Sequence, residues 1–297
     1  MNPAYPIPNV FRLMLALSLA ILLAAPQARA AKNEHRDVVY AQGYVAPTAE
    51  STEYQKKDLL LDALLPSGDG PHPALVVVHG GSFQNGDKAN KRLSELMEDL
   101  VKDGYACFSI NYRMTGDNPP APAPWNLTLL QRAIHASFVD TKAAVRFVRA
   151  NAAAYKVDPN RIAVLGESAG AFSALGVGMG DATDFVNDGP DLPPLESNNL
   201  GTSAAVRAVV DLWGNAELIR NKFNAGDPPV LIVHGKADIH IGTFYVAALN
   251  IEALCKANNI PVTLYGIEGF GHGCFDAKIN GKPLATAIAA WLDEHVK

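Results

Sequence analysis

A serine flanked by glycines, Gly166-Glu167-Ser168-Ala169-Gly170, is the stretch with the clearest capacity for chemistry. An apolar run at residues 161–165 precedes it and predicts a buried strand, and small apolar residues at 171–178 predict a helix. A G-x-S-x-G between strand and helix is typical of a turn that exposes a nucleophilic serine. Side chains at the two glycine positions would collide with the neighbouring strand and helix. A glycine-rich turn that holds a serine by chance is the alternative, so the partners of Ser168 decide between the two.

A serine hydroxyl needs a base to remove its proton and an acid to hold that base. His272 is the candidate base, because it follows a predicted strand at 261–267 and the glycines around it let a loop bring its imidazole to the serine. Asp238 is the favoured acid, a few residues beyond the predicted strand at 230–234. Asp211, inside the preceding predicted strand, is the rival acid.

An oxyanion-binding site is the remaining requirement of this chemistry. The sequence His79-Gly80-Gly81-Ser82-Phe83 follows a continuous apolar run, where its backbone N–H groups can face the nucleophile. Together with the N–H of Ala169 they would stabilise a tetrahedral oxyanion. A strand-end glycine turn without this role is the alternative for the segment. The order Ser168, Asp238, His272 along the chain is the order of a nucleophile-elbow hydrolase.

These residues need a scaffold that brings the ends of several strands together. Strands alternate with helices along the chain, and this pattern predicts a doubly wound, mostly parallel sheet with helices on both faces. Ligands bind such sheets beyond the carboxyl ends of the strands, where all the candidates fall. The predicted strands lie at 59–65, 74–79, 106–112, 161–165, 206–212, 230–234 and 261–267. The predicted helices lie at 93–101, at 129–155 with an interruption near Asp140, and at 171–178, 243–257 and 285–295.

The remaining segments predict loops and turns. Residues 31–53 are polar and aperiodic, so they are either a disordered leader or an edge strand. Prolines mark residues 114–125 as a surface loop, and residues 158–160 as the turn into the serine's strand. The loop at 180–202 carries Asp181, Asp184, Asp188 and Asp191, for which a solvated loop is favoured over a cation site.

The first thirty residues resemble a cleavable secretory signal. Arg12 precedes an apolar stretch of 13 residues, and Ala28-Arg29-Ala30 fits a small-x-small cleavage site. The apolar stretch is short for a membrane span, so no stable span is expected after cleavage, with an uncleaved anchor as the alternative. We therefore expect a signal peptide at 1–30, a single domain at 31–297, and a secreted or periplasmic protein.

Composition excludes some classes of partner. The 297-residue chain has a net charge of −5 and 19% charged residues, so it lacks a basic footprint for nucleic acid. Of its three cysteines, Cys107 is expected to be a buried thiol, and Cys255 and Cys274 are left as a possible pair. No Cys/His spacing indicates a metal, and the chemistry above requires no metal or organic cofactor.

Four segments, at 79–88, 110–113, 140–167 and 234–238, resemble the α/β-hydrolase superfamily. The likeness is nearest to its carboxylesterase and lipase-like branch, which includes bifunctional feruloyl and acetyl-xylan esterases and hormone-sensitive-lipase-like esterases. It covers about residues 55–297. The resemblance implies that Ser168 is the nucleophile, that Asp238 and His272 complete a triad, and that the N–H groups of Gly81, Ser82 and Ala169 form the oxyanion hole.

The chain departs from the pattern of these relatives at two places. Ser82 and Phe83 stand where many have a third glycine and an aromatic residue, although Ser82 still offers a backbone donor. Ile239-His240-Ile241 replaces a Val-Pro-like continuation after the acid, which makes the register of Asp238 less secure.

The expected function is hydrolysis of a carboxylic ester through an acyl-enzyme. The connection at 215–229 is short, so the sequence predicts an open site without a large cap domain, suited to short acyl or carbohydrate-linked esters. The substrate would be a small molecule or a polysaccharide-linked ester. A secreted serine peptidase of the same fold and a non-catalytic recognition module are the alternatives.

Overall fold

The computed structural model of the protein describes residue 1 and residues 33–121, 127–189 and 191–296. Residues 2–30 of the expected signal peptide lie outside these residues, as does Trp125 of the proline-rich loop. The chain from Asn33 onward forms one compact unit. Among the helices of the described residues, none is both long enough and apolar enough to cross a bilayer.

An eight-stranded sheet forms the centre of this unit. Its strand order is β1-β2-β4-β3-β5-β6-β7-β8, with β3 to β8 parallel and β1 and β2 antiparallel at one edge. The predicted doubly wound, mostly parallel fold is confirmed. The strands of the sheet are β1 (Asn33–Val45), β2 (Gln55–Leu65), β3 (His72–Val78), β4 (Ala106–Ile110), β5 (Val157–Glu167), β6 (Val209–Leu212), β7 (Val230–Gly235) and β8 (Val262–Ile267). The helices are α1 (Lys91–Lys102), α2 (Leu129–Ala150), α3 (Ala169–Met179), α4 (Tyr245–Ala257) and α5 (Leu284–His295).

The central strands are apolar on both sides because helices cover both faces of the sheet. In β3, Val76 and Val78 face a core that includes residues of α2, α3 and α4. Leu75 and Val77 face a second core that includes residues of α1 and α5. This arrangement leaves the carboxyl ends of the strands as the rim on which loops can assemble a site.

The structure decides one open alternative and corrects two expectations about the elements. Of the two alternatives for residues 31–53, the edge strand holds for residues 33–45, which pair with β2. Helix α2 continues through Asp140 without interruption, because the buried carboxylate of that residue bonds to Arg113, and it ends at Ala150. Residues 158–160 belong to β5, which begins where Val157 pairs with His72. A short hairpin of β9 (Lys278–Ile279) and β10 (Lys282–Pro283) was not predicted.

The cysteines and the acidic loop have plain structural roles. Cys255 and Cys274 are buried free thiols in the cores on opposite faces of the sheet, so they do not pair. Asp188 bonds to the buried guanidinium of Arg113, and Asp184 pairs with Lys222. Within the described ranges, no group of histidine, cysteine or acidic side chains is arranged to hold a metal ion.

Candidate active site

The turn at Ser168 has the geometry that its two glycines predicted. Ser168 has φ 55° and ψ −118°, in the left-handed half of backbone space, and α3 begins at the next residue. A Cβ atom on Gly166 would collide with the carbonyl oxygen of Gly170, and one on Gly170 would collide with that of Val78. The elbow between β5 and α3 therefore requires glycine at both positions and leaves the hydroxyl at the carboxyl end of the sheet.

The structure brings Ser168, His272 and Asp238 together at this end. His272 Nε2 lies 2.9 Å from Ser168 Oγ, and His272 Nδ1 lies 2.9 Å from Asp238 Oδ2. A carboxylate only accepts, so Nδ1 carries the hydrogen and Nε2 is free to accept the serine proton. The rival acid Asp211 takes no part, because it is enclosed within β6 and neither carboxylate oxygen has a hydrogen-bond partner among the described residues.

Asp238 remains charged although it is buried. Burial raises the pKa of its carboxyl group, but hydrogen bonds from His272 and from the backbone N–H of His240 outweigh that effect. The net pKa lies below the ordinary value for aspartate. An ionised carboxylate at this position can stabilise an imidazolium on His272 during proton transfer.

A second histidine, His234, also contacts the acid, and the sequence analysis did not single it out. Its Nε2 lies 3.0 Å from Asp238 Oδ2 and 2.6 Å from the carbonyl oxygen of Thr243. Both partners accept, so Nε2 must carry the hydrogen, while Nδ1 is buried without a partner among the described residues. Burial lowers the pKa of His234, which favours the neutral ring. The signal in the sequence was a polar residue at the end of the apolar run of β7.

His240 and Thr243 complete the surroundings of the candidate base. The ring of His240 stacks on that of His272, with centroids 4.4 Å apart and planes inclined by 16°. Thr243 Oγ1 lies 3.1 Å from His272 Nδ1. The departure at Ile239-His240-Ile241 thus leaves the register of Asp238 intact and places an additional imidazole beside His272.

The segment proposed to bind the oxyanion lies in a left-handed turn. Gly81, Ser82 and Phe83 have φ values of 112°, 56° and 60°. The backbone N–H of the preceding residue, Gly80, donates to Glu167 Oε1 at 2.6 Å and so ties the segment to the elbow. Ser82 and Ala169 line the same cavity as Ser168. The assignment of the N–H groups of Gly81, Ser82 and Ala169 as oxyanion donors remains a prediction.

A cavity of about 260 Å³ opens beside Ser168. Phe83, Ile134 and Phe172 give it an apolar wall, whereas Asn215 and Glu217 contribute polar groups. The connection at 215–229 contains only the short 3₁₀ turn Glu217–Lys222, so no cap is built there. Trp213 packs near the site and donates its Nε1–H to Glu167 Oε2 at 3.2 Å.

Comparison with known proteins places this geometry in a family context. The BD-FAE family model matches residues 61–225. Esterase LipC of Mycobacterium tuberculosis is 26% identical over 261 residues, which cover 75% of this chain and 59% of LipC. Esterase LipQ of the same organism is 32% identical over 253 residues, which cover 74% of this chain and 55% of LipQ. The chain thus spans less than two thirds of the length of these curated relatives.

Solved structures share the fold at low sequence identity. A truncated carbohydrate esterase from gut microbiota superposes with a TM-score of 0.64 at 22% identity, covering 88% of this chain and 95% of the other. The esterase Est2 of Thermogutta terrifontis with butyrate bound has a TM-score of 0.60 at 23% identity, covering 87% of this chain and 91% of the other. The family match spans more than half of the chain, and its fold agrees with these structures. The chain therefore belongs to the BD-FAE family and has the α/β-hydrolase fold.

Proposed function

We propose that the protein is a serine carboxylic-ester hydrolase that works through an acyl-enzyme. The observation that carries the proposal is the continuous hydrogen-bond chain from Ser168 through His272 to Asp238 at the carboxyl end of the sheet. The names of the relatives LipC and LipQ as esterases, and of LipM as a probable carboxylic ester hydrolase, support the same reaction class.

The geometry supports a two-step mechanism. His272 Nε2 accepts the hydroxyl proton as Ser168 Oγ attacks the ester carbonyl carbon, and Asp238 stabilises the resulting imidazolium. The backbone N–H groups of Gly81, Ser82 and Ala169 would receive the oxyanion, and two of these residues, Ser82 and Ala169, line the cavity beside Ser168. His272 then donates its proton to the departing alcohol as the carbon–oxygen bond breaks. Water, deprotonated by His272, attacks the acyl-serine, and collapse of that intermediate releases the acid and restores Ser168.

Short acyl groups on small or carbohydrate-linked alcohols are the proposed substrates. The cavity of about 260 Å³ has room for a small acyl chain against Ile134 and Phe172. Its mouth is open, since Leu218 and Ile241 line it while remaining 55% and 87% exposed. The carbohydrate esterase and the butyrate-bound Est2 among the structural neighbours support this choice. Activity on a series of nitrophenyl esters of increasing acyl length, and on acetyl-xylan and methyl ferulate, tests which acyl and alcohol groups the protein accepts.

The decisive experiment replaces the nucleophile. Ser168→Ala is expected to lower kcat on p-nitrophenyl acetate and butyrate by at least about a thousandfold, because the acyl-enzyme no longer forms. Ser94→Ala on α1 is the matched control and should keep wild-type turnover and fluorophosphonate labelling. Undiminished turnover by Ser168→Ala would remove the mechanism. If the fluorophosphonate does not label Ser168 in the folded wild-type protein, a non-catalytic recognition module would be favoured instead.

We also propose that the protein is exported to the periplasm or beyond the cell. The charged residue, apolar stretch and small-x-small site within residues 1–30 support this. Amino-terminal sequencing should show that the exported protein begins near Ala31. A membrane-bound form that still begins at Met1 would favour the uncleaved anchor.

A further inference from the structure

A second cavity, larger than the one at Ser168, lies at the opposite end of the sheet. Its volume is about 750 Å³. Residues 206–207 and 226–229, which lead into the amino ends of β6 and β7, form part of its wall, together with the carboxyl end of α3. Ser168 is at the amino end of α3, so the two cavities are separated by the length of that helix. The mechanism proposed above uses none of its residues.

Two buried cations from α2 line this second cavity. Lys142 and Arg146 are one helical turn apart and are only 2% and 3% exposed. Lys142 Nζ donates to the carbonyl oxygens of Asp181 and Asp184, at 2.6 and 2.8 Å, which leaves one of its three donors available. Burial lowers the pKa of Lys142 to about 8, with a further lowering contribution from Arg146 that the carboxylates of Asp184 and Asp181 oppose.

Arg146 has fewer hydrogen-bond partners than Lys142 among the described residues. Its Nε donates to the carbonyl oxygen of Asn198 at 2.8 Å, but its Nη2 is buried without a hydrogen-bond partner among the described residues. Burial lowers the pKa of the guanidinium to about 10. A buried guanidinium N–H without an acceptor is costly, and Arg146 lines the cavity, so an anion there that draws the guanidinium toward it would remove that cost.

The remaining charges on the wall also favour an anion. Arg207 adds a third cation that is exposed to solvent, and His295 lies on the same wall. Asp227 is the carboxylate among the lining residues, and its Oδ2 already accepts the backbone N–H of Asn224 at 2.7 Å. Burial raises the pKa of Asp227. Three cations share the wall with this one carboxylate, so the wall is positive on balance.

We propose that this second cavity is a binding site for a small molecule bearing an oxyanion, a carboxylate or a phosphate, held by Arg146 and Lys142. The planar guanidinium presents parallel N–H donors that match two oxygens of such a group. The third Nζ proton of Lys142 supplies a donor from the adjacent turn of α2. The volume exceeds that of an inorganic ion, so the oxyanion is one end of a larger molecule, such as a sugar acid or a sugar phosphate.

Isothermal titration of the folded protein tests this site with three probes: inorganic phosphate, glucuronate and glucose 6-phosphate. Each titration is matched in ionic strength with sodium chloride. Arg146→Met is expected to weaken binding about tenfold to a hundredfold, the effect of a lost hydrogen bond to a charged group. Arg146→Lys keeps the charge without the paired donors and should weaken binding as well. Lys91→Gln, on an exposed part of α1, is the matched control and should bind like the wild type.

The outcomes show whether the ligand carries a carboxylate or a phosphate, and they distinguish a failure of this proposal from a failure of the proposed esterase function. Tighter binding of glucuronate identifies a carboxylate ligand, and tighter binding of glucose 6-phosphate identifies a phosphate. Ser168→Ala should bind the probes unchanged, so a failure of the esterase mechanism would leave this site standing. If Arg146→Met does not fold, Arg146→Lys and Lys142→Gln carry the test. Absence of binding by the wild type, or equal binding by the folded Arg146 variants, would overturn the proposal.

Discussion

Asp238 lies between two imidazoles, and this arrangement fixes its orientation. Its Oδ2 accepts from His272 Nδ1 at 2.9 Å and from His234 Nε2 at 3.0 Å, while Oδ1 accepts the backbone N–H of His240 at 2.8 Å. Rotation of the carboxylate would break all three bonds together. We therefore expect His234 to act as a positioning residue, since it contacts Asp238 and neither Ser168 nor the cavity beside it.

His234→Leu removes the second donor to Asp238 and should lower kcat on p-nitrophenyl butyrate by about tenfold, the effect of one lost hydrogen bond to a charged group. The pKa of Asp238 should rise, because its charged form loses a donor. The carboxylate then stabilises the protonated His272 more strongly, so the acid limb of kcat/KM should move to higher pH. His234→Gln can restore the donor and should recover much of kcat.

His135→Leu is the matched control for His234, because its ring contacts the carbonyl oxygen of Asn187 away from the candidate site. It should leave both kcat and the pH profile unchanged. A loss of stability in His234→Leu with an unaltered kcat and acid limb would reduce His234 to a packing role.

The sequence could identify Ser168, Asp238 and His272 because each follows a predicted strand and has glycine nearby. The contact of His234 with Asp238 could not be predicted, because His234 lies within the apolar run of β7 and the sequence does not indicate which group a buried polar residue contacts. The role of His240 depends on the path of the loop between Asp238 and Thr243, and the three-residue departure there indicated only that this path was unusual. Side-chain contacts between separate loops are set by tertiary packing, which spacing along the chain does not encode.

At the scale of elements, Glu167 connects three pieces of backbone around the elbow. It is the last residue of β5, and its carboxylate accepts from Gly80 N at 2.6 Å and from Trp213 Nε1 at 3.2 Å. Gly80 begins the turn that contains the predicted oxyanion donors, and Trp213 follows β6. Glu167, the residue before Ser168, thus ties the turn to the elbow without contacting the proposed reacting atoms.

Glu167→Gln replaces one acceptor oxygen with an amide donor, which must face either Gly80 N–H or Trp213 Nε1–H. We expect kcat on p-nitrophenyl butyrate to fall about tenfold with KM within twofold, because oxyanion donors act mainly in the transition state. Glu268→Gln, an exposed change next to β8, is the matched control and should leave both constants unaltered. A raised KM at constant kcat would instead place Glu167 in ground-state substrate binding.

The elements that the sequence predicted well are those with a strong local pattern. The apolar runs of β3 and β7 and the one-sided pattern of α1 identified both type and approximate bounds, whereas the run of β5 identified the type but not its start at Val157. The edge strand β1 was ambiguous because its first five residues are polar, and the pairing with β2, the next strand along the chain, that orders it is not visible in that pattern. Asp140 suggested an interruption of α2 because its partner, Arg113, lies in a loop after β4.

For the whole molecule, Arg113 shows how such distant partners hold the fold together. Its guanidinium is fully buried and bonds to Asp140 on α2, to Asp188 in the loop after α3, and to the carbonyl oxygen of Tyr44 in β1. Two carboxylates and one carbonyl oxygen face the single guanidinium, and all three partner residues are themselves buried, so this network belongs to the interior. It connects the antiparallel edge of the sheet to the helices that carry the candidate site.

Asp211 is a buried carboxyl group that lacks such compensation among the described residues. It is fully enclosed within β6, and neither carboxylate oxygen has a hydrogen-bond partner in the part of the chain that the structure describes. Burial raises its pKa to about 7, against a smaller lowering influence from the nearby backbone N–H of Gly214. The carboxyl group of Asp211 therefore stays protonated to a higher pH in the folded protein than in the unfolded chain, where an aspartate has an ordinary pKa near 3.8.

This difference predicts how stability depends on pH. Between about pH 4 and pH 7 the folded state binds more protons at Asp211, so this residue's contribution to the free energy of unfolding falls as pH rises. The shift of about three pKa units corresponds to about 4 kcal/mol, lost in full above pH 7. Asp211→Asn cannot ionise, so it should be more stable than the wild type at pH 8 and differ little from it at pH 4.5. Urea unfolding followed by circular dichroism at both pH values measures the difference. Asp69→Asn, in an exposed turn, should follow the wild type, and a wild-type pH dependence in Asp211→Asn would mean that the carboxylate is compensated in the folded protein.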